Sequence, residues 1–231
     1  MDKIEFYCLN YNNPERNKSM TERFERLDIS CNFYHGVGKD DKRFEKIPIN
    51  APLSIMYGHL DMIYHFYHHN DKPYGIFCED DILIHKDFKQ YLPKIIDDFQ
   101  TLNLDLLLLG YLVTYNINHE MELKTNSENE DFFYRYYNVS NEIWGAQMYM
   151  LSRENAKRLL DKYAFGYLEQ VIQDSSLTPF SADHTITKDG KSALLYPLLV
   201  IEDGMKIYDH FGQKMFHYQC YINNYVEGSH I

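Results

Sequence analysis

The 231-residue sequence is short of several things that mark large functional classes. Positive charge is scarce: Lys and Arg number 23 against 34 Asp and Glu, a formal net charge of −11. Phosphate-backbone affinity needs clustered Lys and Arg, so nucleic acid is excluded as the main partner. The longest apolar stretches, near Leu104–Val113 and Ala193–Ile201, fall short of the about 20 residues that cross a bilayer, so no integral membrane segment is expected. The N-terminus, MDKIEFYCLNYNNPER, has no apolar core followed by a small-residue cleavage site, so no secretory signal is expected. The four cysteines (Cys8, Cys31, Cys78, Cys220) are scattered and form no C-x-x-C pair. They read as reduced core thiols of a cytoplasmic protein, where sequons such as those at Asn17 and Asn138 carry no glycan. There is no H-E-x-x-H, although His65, His68 and His69 share a segment with Asp61, and no G-x-x-x-x-G-K-[ST] or other glycine-rich phosphate loop.

What remains is an ordinary globular balance, 45% apolar and 25% charged, with 21 tyrosines beside a single tryptophan. The length suits one domain spanning 1–231. Ile4–Leu9 is a short run of β formers, and Asn10 to Pro14 a turn cluster. Pro14 suits a first helical turn, with Met20, Phe24 and Leu27 at helical spacing up to Leu27. Asn32–Val37 reads as a second strand. Asn50, with Pro52 just inside, opens a helix to about His69. Tyr74–Cys78 is a short buried strand, Asp87–Phe99 a helix, and Leu104–Leu109 an unbroken apolar run of the kind found in parallel sheets. This alternation is that of an α/β fold.

The second half is less regular. Asn116–Asp131 is polar and acidic without an apolar period, a long loop or mobile hairpin, and loops of that length inside a domain are usually functional or disordered. Phe132–Val139 and Ile143–Leu151 read as strands, and Ser152 caps a helix to about Tyr163. Gln170–Pro179 reads as loop, Asp183 as the start of a short helix, and Ala193–Val200 as a last strand that Pro197 marks as an edge or a bulge.

The most informative segment is Tyr74-Gly75-Ile76-Phe77-Cys78-Glu79-Asp80-Asp81, a buried strand running into three adjacent carboxylates. Their mutual repulsion raises their pKa values unless a cation is present, and Mg²⁺ or Mn²⁺ prefers carboxylate oxygen. Open α/β sheets bind ligands at the carboxyl ends of their strands, where this triplet lies.

Taken in order, Ile4 to Arg16, Gly58-His59-Leu60 and Glu79-Asp80-Asp81 resemble glycosyltransferase family 25 and related viral and bacterial sugar transferases. Asn10-Tyr11-Asn12 stands for that family's Asn-containing turn, and Asn13-Pro14-Glu15-Arg16 for its Arg-Pro-Asp-Arg. His59 precedes Glu79 by 20 positions. Trp144 to Ala156 resembles the family's Gly-containing strand, Ser-Arg turn and Ala-rich helix. Asn13 replaces the first arginine of the tetrapeptide, and Gly58 the serine before the histidine.

The resemblance implies a GT-A fold, a Rossmann-like, mostly parallel central sheet flanked by helices. Residues 1–110 would form a nucleotide-sugar-binding half and 111–231 an acceptor half. It implies metal-dependent, inverting transfer of a hexose or related sugar from a UDP-type nucleotide sugar to a hydroxyl of a glycan or protein-linked sugar. Mn²⁺ or Mg²⁺ would be held by Asp81, Glu79 and a C-terminal histidine, His210 or alternatively His217. Donor contacts fall to Asn10, Tyr11, Arg16, His59, Glu79 and Asp80. Trp144 and Gly145 face the acceptor, and Asp183 is the base, with Glu169 and Asp174 as weaker alternatives. A catalytically silent nucleotide-sugar-binding protein of the same fold, or a metal-dependent nucleotidyltransferase, are the alternatives to this enzyme.

Overall fold

Ten strands form one mixed sheet in the computed structural model, which describes residues 2–45, 47–48, 50–115, 117, 122–123, 134–205 and 211–231. The core strands are β1 (Ile4–Asn10), β2 (Asn32–His35), β3 (Tyr74–Glu79), β5 (Leu106–Leu112), β8 (Trp144–Ser152) and β9 (Ser192–Tyr196). They stand in the order β2-β1-β3-β8-β5-β9, and β8 alone among these six runs against the rest. Beyond β9 the sheet continues through β7 (Arg135–Asn138) and β6 (Glu122–Leu123). A short branch is formed by β10 (Val200–Glu202), parallel to β5, and β4 (Ile82–Ile84), antiparallel to β10.

Alternation along the strands feeds two cores. Tyr7, Phe77, Tyr149 and Leu108 face one side, where α2 (Ala51–His69), α4 (Arg153–Tyr163) and α5 (Tyr167–Gln173) pack. Cys8, Ile76, Met148 and Leu107 face the other, beneath α1 (Pro14–Arg26) and α3 (Phe88–Thr101). The helices start where local chemistry satisfies their first amides. Asn13, Asn50 and Ser152 each accept from a backbone N–H three residues on, at 3.0, 3.0 and 3.1 Å. The mixed α/β architecture is the class that the sequence implied.

Several expectations are corrected. Gln170–Pro179 is not all loop, because α5 runs to Gln173. Pro197 does not mark an edge: it follows β9, which lies between β5 and β7, and the chain resumes as β10. The reversal beyond β3 leads into β4, and a sixth helix, α6 (Phe211–Asn224), follows β10; neither was anticipated. Most of Asn116–Asp131, with Phe132 and Phe133, lies outside the described residues. Gly58 has a packing reason: a Cβ there would lie 2.7 and 2.9 Å from the methyls of Leu9 on β1, so a serine would crowd α2 against the sheet.

Candidate active site

The carboxyl end of β3 meets the start of β8 at a cavity of about 540 Å³. Arg16, Glu79, Asp81, Trp144, Gly145 and Asp183 all line it. Residues from four separate stretches of sequence therefore share one opening.

Arg16 lies on the first turn of α1. Its Nη1 donates to Asp80 Oδ1 at 3.0 Å and to Asp81 Oδ2 at 3.2 Å. Asp80 also accepts from Asn10 Nδ2 at 2.5 Å, and Asn10 donates to the Asn13 carbonyl at 2.9 Å. Asn10 and Arg16 thus clamp Asp80, which turns to a separate cavity of about 320 Å³ shared with Arg23 and Asp203. Asp81 and Glu79 face the main cavity.

Below it, fully buried His59 meets the Tyr149 hydroxyl through Nδ1 at 2.8 Å and approaches Glu79 Oε1 through Nε2 at 3.8 Å. Burial holds the imidazole pKa down to about 4, against the pull of Asp183, so the ring is neutral at pH 7. A carboxylate facing Nε2 favours the tautomer with its proton there, leaving Nδ1 to accept from Tyr149. His59 therefore supports Glu79 from beneath and does not line the cavity.

Asp183 sits on a single π-turn, Ala182–Ile186, a form often found at functional sites. Burial pushes its carboxyl pKa up, while His59, His184 and the Gly145 amide, which donates to it, pull it down. Gly145 has φ +94°, so its amide is presented by a backbone that glycine adopts without strain. Trp144 is 42% exposed, with the His184 ring edge-on at 4.7 Å and Lys188 Nζ 5.1 Å from its centroid.

Not every expected residue joins this group. Tyr11 is 47% exposed and tilts against His35 beside Gly36 and Gly38, off the cavity. Glu169 lines another cavity with Arg43 and Asp61, and Asp174 is exposed and bonded to Ser176. His210 lies outside the described residues, whereas His217 lines the cavity and bonds to Glu202. Sequence reasoning missed Glu202 and Gln147, which line it too. Leu198 to Ile201 ending in Glu202-Asp203 repeats the apolar-strand-into-acids signal of β3, and Asp203 N donates to the Asp81 carbonyl at 2.8 Å. Gln147 leaves no such signal, because only strand register brings it here.

Carboxylate and imidazole are the donor types that Mn²⁺ or Mg²⁺ accepts, and Glu79, Asp81, Glu202 and His217 supply them around one opening. Among the described residues no three His, Cys, Asp or Glu are gathered into a metal-holding cluster.

The sequence profile of glycosyltransferase family 25 (LPS biosynthesis protein) matches residues 4–172, well over half of the chain. The chain belongs to this family. This glycosyltransferase matches no curated protein in a direct search. Solved structures similar to it include a protein from STIV, at 13% identity over 83% of this chain and 81% of that one, TM-score 0.43. A glycosyltransferase involved in the glycosylation of the major capsid of PBCV-1 is similar at 10% identity over 88% and 94%, TM-score 0.44. CMP:2-keto-3-deoxy-manno-octonic acid synthetase complexed with CTP is similar at 12% over 87% and 88%, TM-score 0.38. The family region holds every expected donor residue of the glycosyltransferase, with Trp144 and Gly145, and ends before Asp183. No helix among the described residues is long and apolar enough to cross a membrane.

Proposed function

We propose that this glycosyltransferase moves a hexose or related sugar from a UDP-type donor to an acceptor hydroxyl, with inversion, in the cavity between β3 and the Asp183 turn. The observation that carries the reading is the shared opening: two acids that close β3 and a third, half-buried carboxylate on the π-turn line one cavity beside an exposed indole. The acceptor oxygen bonds to the anomeric carbon as the bond to the UDP oxygen breaks. Asp183 takes the acceptor's proton, and UDP carries away the bonding pair. The raised pKa of Asp183 makes it a stronger base than a solvated aspartate, and the Gly145 amide fixes its orientation.

Asp81 and Glu79 are the residues we assign to Mn²⁺ or Mg²⁺, with His217 as the imidazole. Such a cation would neutralise charge on the departing diphosphate. Arg16 bridges Asp80 and Asp81, offsetting their mutual repulsion, and supplies positive charge at the cavity wall. Asn10 acts through Asp80 as a positioning residue, and Trp144 offers an apolar face to an acceptor sugar.

The test is a screen of UDP-sugars for release of UDP by the purified protein with Mn²⁺, with and without simple sugar acceptors. Release from one donor, enhanced by an acceptor and giving a product of opposite anomeric configuration, is expected. Retention of configuration would overturn the role of Asp183 as base, and release from no UDP-sugar would overturn the donor class.

A further inference from the structure

Gln147 is a buried polar side chain that the chemistry above leaves unused. It is 4% exposed, it lines the cavity, and its Oε1 has no hydrogen-bond partner. A buried amide oxygen left unpaired is costly to the fold. On the same face of β8 its neighbours along the strand, Tyr149 and Leu151, pack into the core, where an apolar side chain would carry no such cost.

Its position is set by register. Cys78 pairs with Met148 across β3 and β8, which brings Gln147 alongside Glu79 as the strands part. On its other side stands Gly145, whose amide holds Asp183; a Cβ on Gly145 would fall on the Gln147 carboxamide. The carboxamide therefore lies between the acid closing β3 and the half-buried Asp183 carboxylate. In a direct displacement the departing diphosphate and the attacking hydroxyl flank the anomeric carbon, so the transferred sugar ring occupies that interval.

We propose that Gln147 reads the transferred sugar, its Oε1 accepting a hydrogen bond from a ring hydroxyl of the donor hexose. This deepens the donor reading above and rests on it. A pocket built to bond a hydroxyl discriminates strongly against the analogue that lacks it, because its own polar group is then left unpaired. Gln147 is thus a specificity residue, and the donor it favours is one whose hydroxyl points to the β8 wall.

The experiment begins with wild-type protein, Mn²⁺ and four donors: UDP-glucose, UDP-galactose, UDP-N-acetylglucosamine and UDP-N-acetylgalactosamine. The best donor is then compared with its monodeoxy analogues in wild type, Gln147→Met and Gln147→Glu. Methionine keeps the volume and removes the acceptor, whereas glutamate keeps an acceptor oxygen. For Gln147→Met we expect kcat/KM on the best donor to fall about 10- to 100-fold. UDP affinity by calorimetry should stay within about twofold and the melting temperature should be equal or higher, since the orphaned amide is gone. One monodeoxy analogue should be a poor substrate of wild type and lose nothing further in Gln147→Met, while Gln147→Glu retains the preference for the hydroxylated donor. UDP affinity falling in step with kcat/KM, or an unchanged parent-to-deoxy ratio in Gln147→Met, would overturn the role of Gln147 and leave the donor reading standing. Wild type that releases UDP from none of the four overturns the donor reading and this role with it.

Discussion

Asp183 carries opposite signs for stability and for chemistry. Burial raises its pKa above the 3.8 of a free aspartate, so its ionised form is penalised in the folded protein. The stability it contributes is largest below pH 3.8 and declines as pH rises through the raised folded value. At pH 7 the carboxylate is therefore a net cost, which an uncharged amide of the same shape avoids. Asp183→Asn is expected to melt no lower than wild type at pH 7, to bind UDP with unchanged affinity, and to lose about 10²- to 10⁴-fold in transfer rate. Calorimetry and a transfer assay on one preparation check all three, and transfer near the wild-type rate removes Asp183 from the mechanism. In wild type, kcat/KM should fall on the acid side as Asp183 takes up a proton, with a midpoint above that of an ordinary aspartate.

At the level of elements, two strand ends carry the site. β3 and β10 are both apolar and both run into acids, and β4 ties them together through Ile82–Ile84. The close approach of β10 to β5 depends on Gly110. A Cβ there would lie 2.9 Å from the Val200 carbonyl oxygen and 2.9 Å from its Cβ, so backbone would have to move. Gly110→Ala is expected to cost about 2 kcal/mol and lower the melting temperature by roughly 4–8 °C, read by thermal unfolding. An unchanged melting temperature would show that β10 yields freely. The elements legible in the sequence are those with local signatures: the Pro14 start of α1, the capped starts of α2 and α4, the apolar β5, and the acid-ended β3. Those missed lack one. In α6, Met215, Phe216, Tyr218 and Ile222 are exposed, so no single apolar face announces a helix. Pro197 signals an irregularity in the run from Ala193 but not that two strands meet there, because the residues on both sides are buried and apolar. The members of the cavity were legible where chemistry is local, as in the triplet. Gln147 was not, because its neighbours are set by a β3–β8 register that periodicity does not fix.

Across the whole molecule, one buried and two half-buried histidines shape the response to acid. Burial lowers the pKa of His59 and His230 to about 4 and lowers that of His85 as well, against 6.5 for a free imidazole. The unfolded chain thus binds more protons than the folded one between these values, so stability is full above pH 6.5 and lost as pH falls toward 4. For fully buried His59 that loss amounts to about 3 kcal/mol. The melting temperature should fall steadily from pH 6.5 to 4, and His230→Phe should flatten part of the decline. A flat profile over that range contradicts the neutral state of these rings in the folded protein. The same acid shift works against the negative surface, since the formal charge of −11 shrinks as carboxylates protonate.

The most direct test of the whole account is calorimetric titration of UDP into the protein with Mn²⁺ and again with EDTA, repeated on Asp81→Asn. Binding in wild type that needs the cation, and its loss in Asp81→Asn with an unchanged melting profile, is the expected result. UDP affinity indifferent to both EDTA and the substitution would contradict the claim that the acids closing β3 hold the nucleotide through a cation.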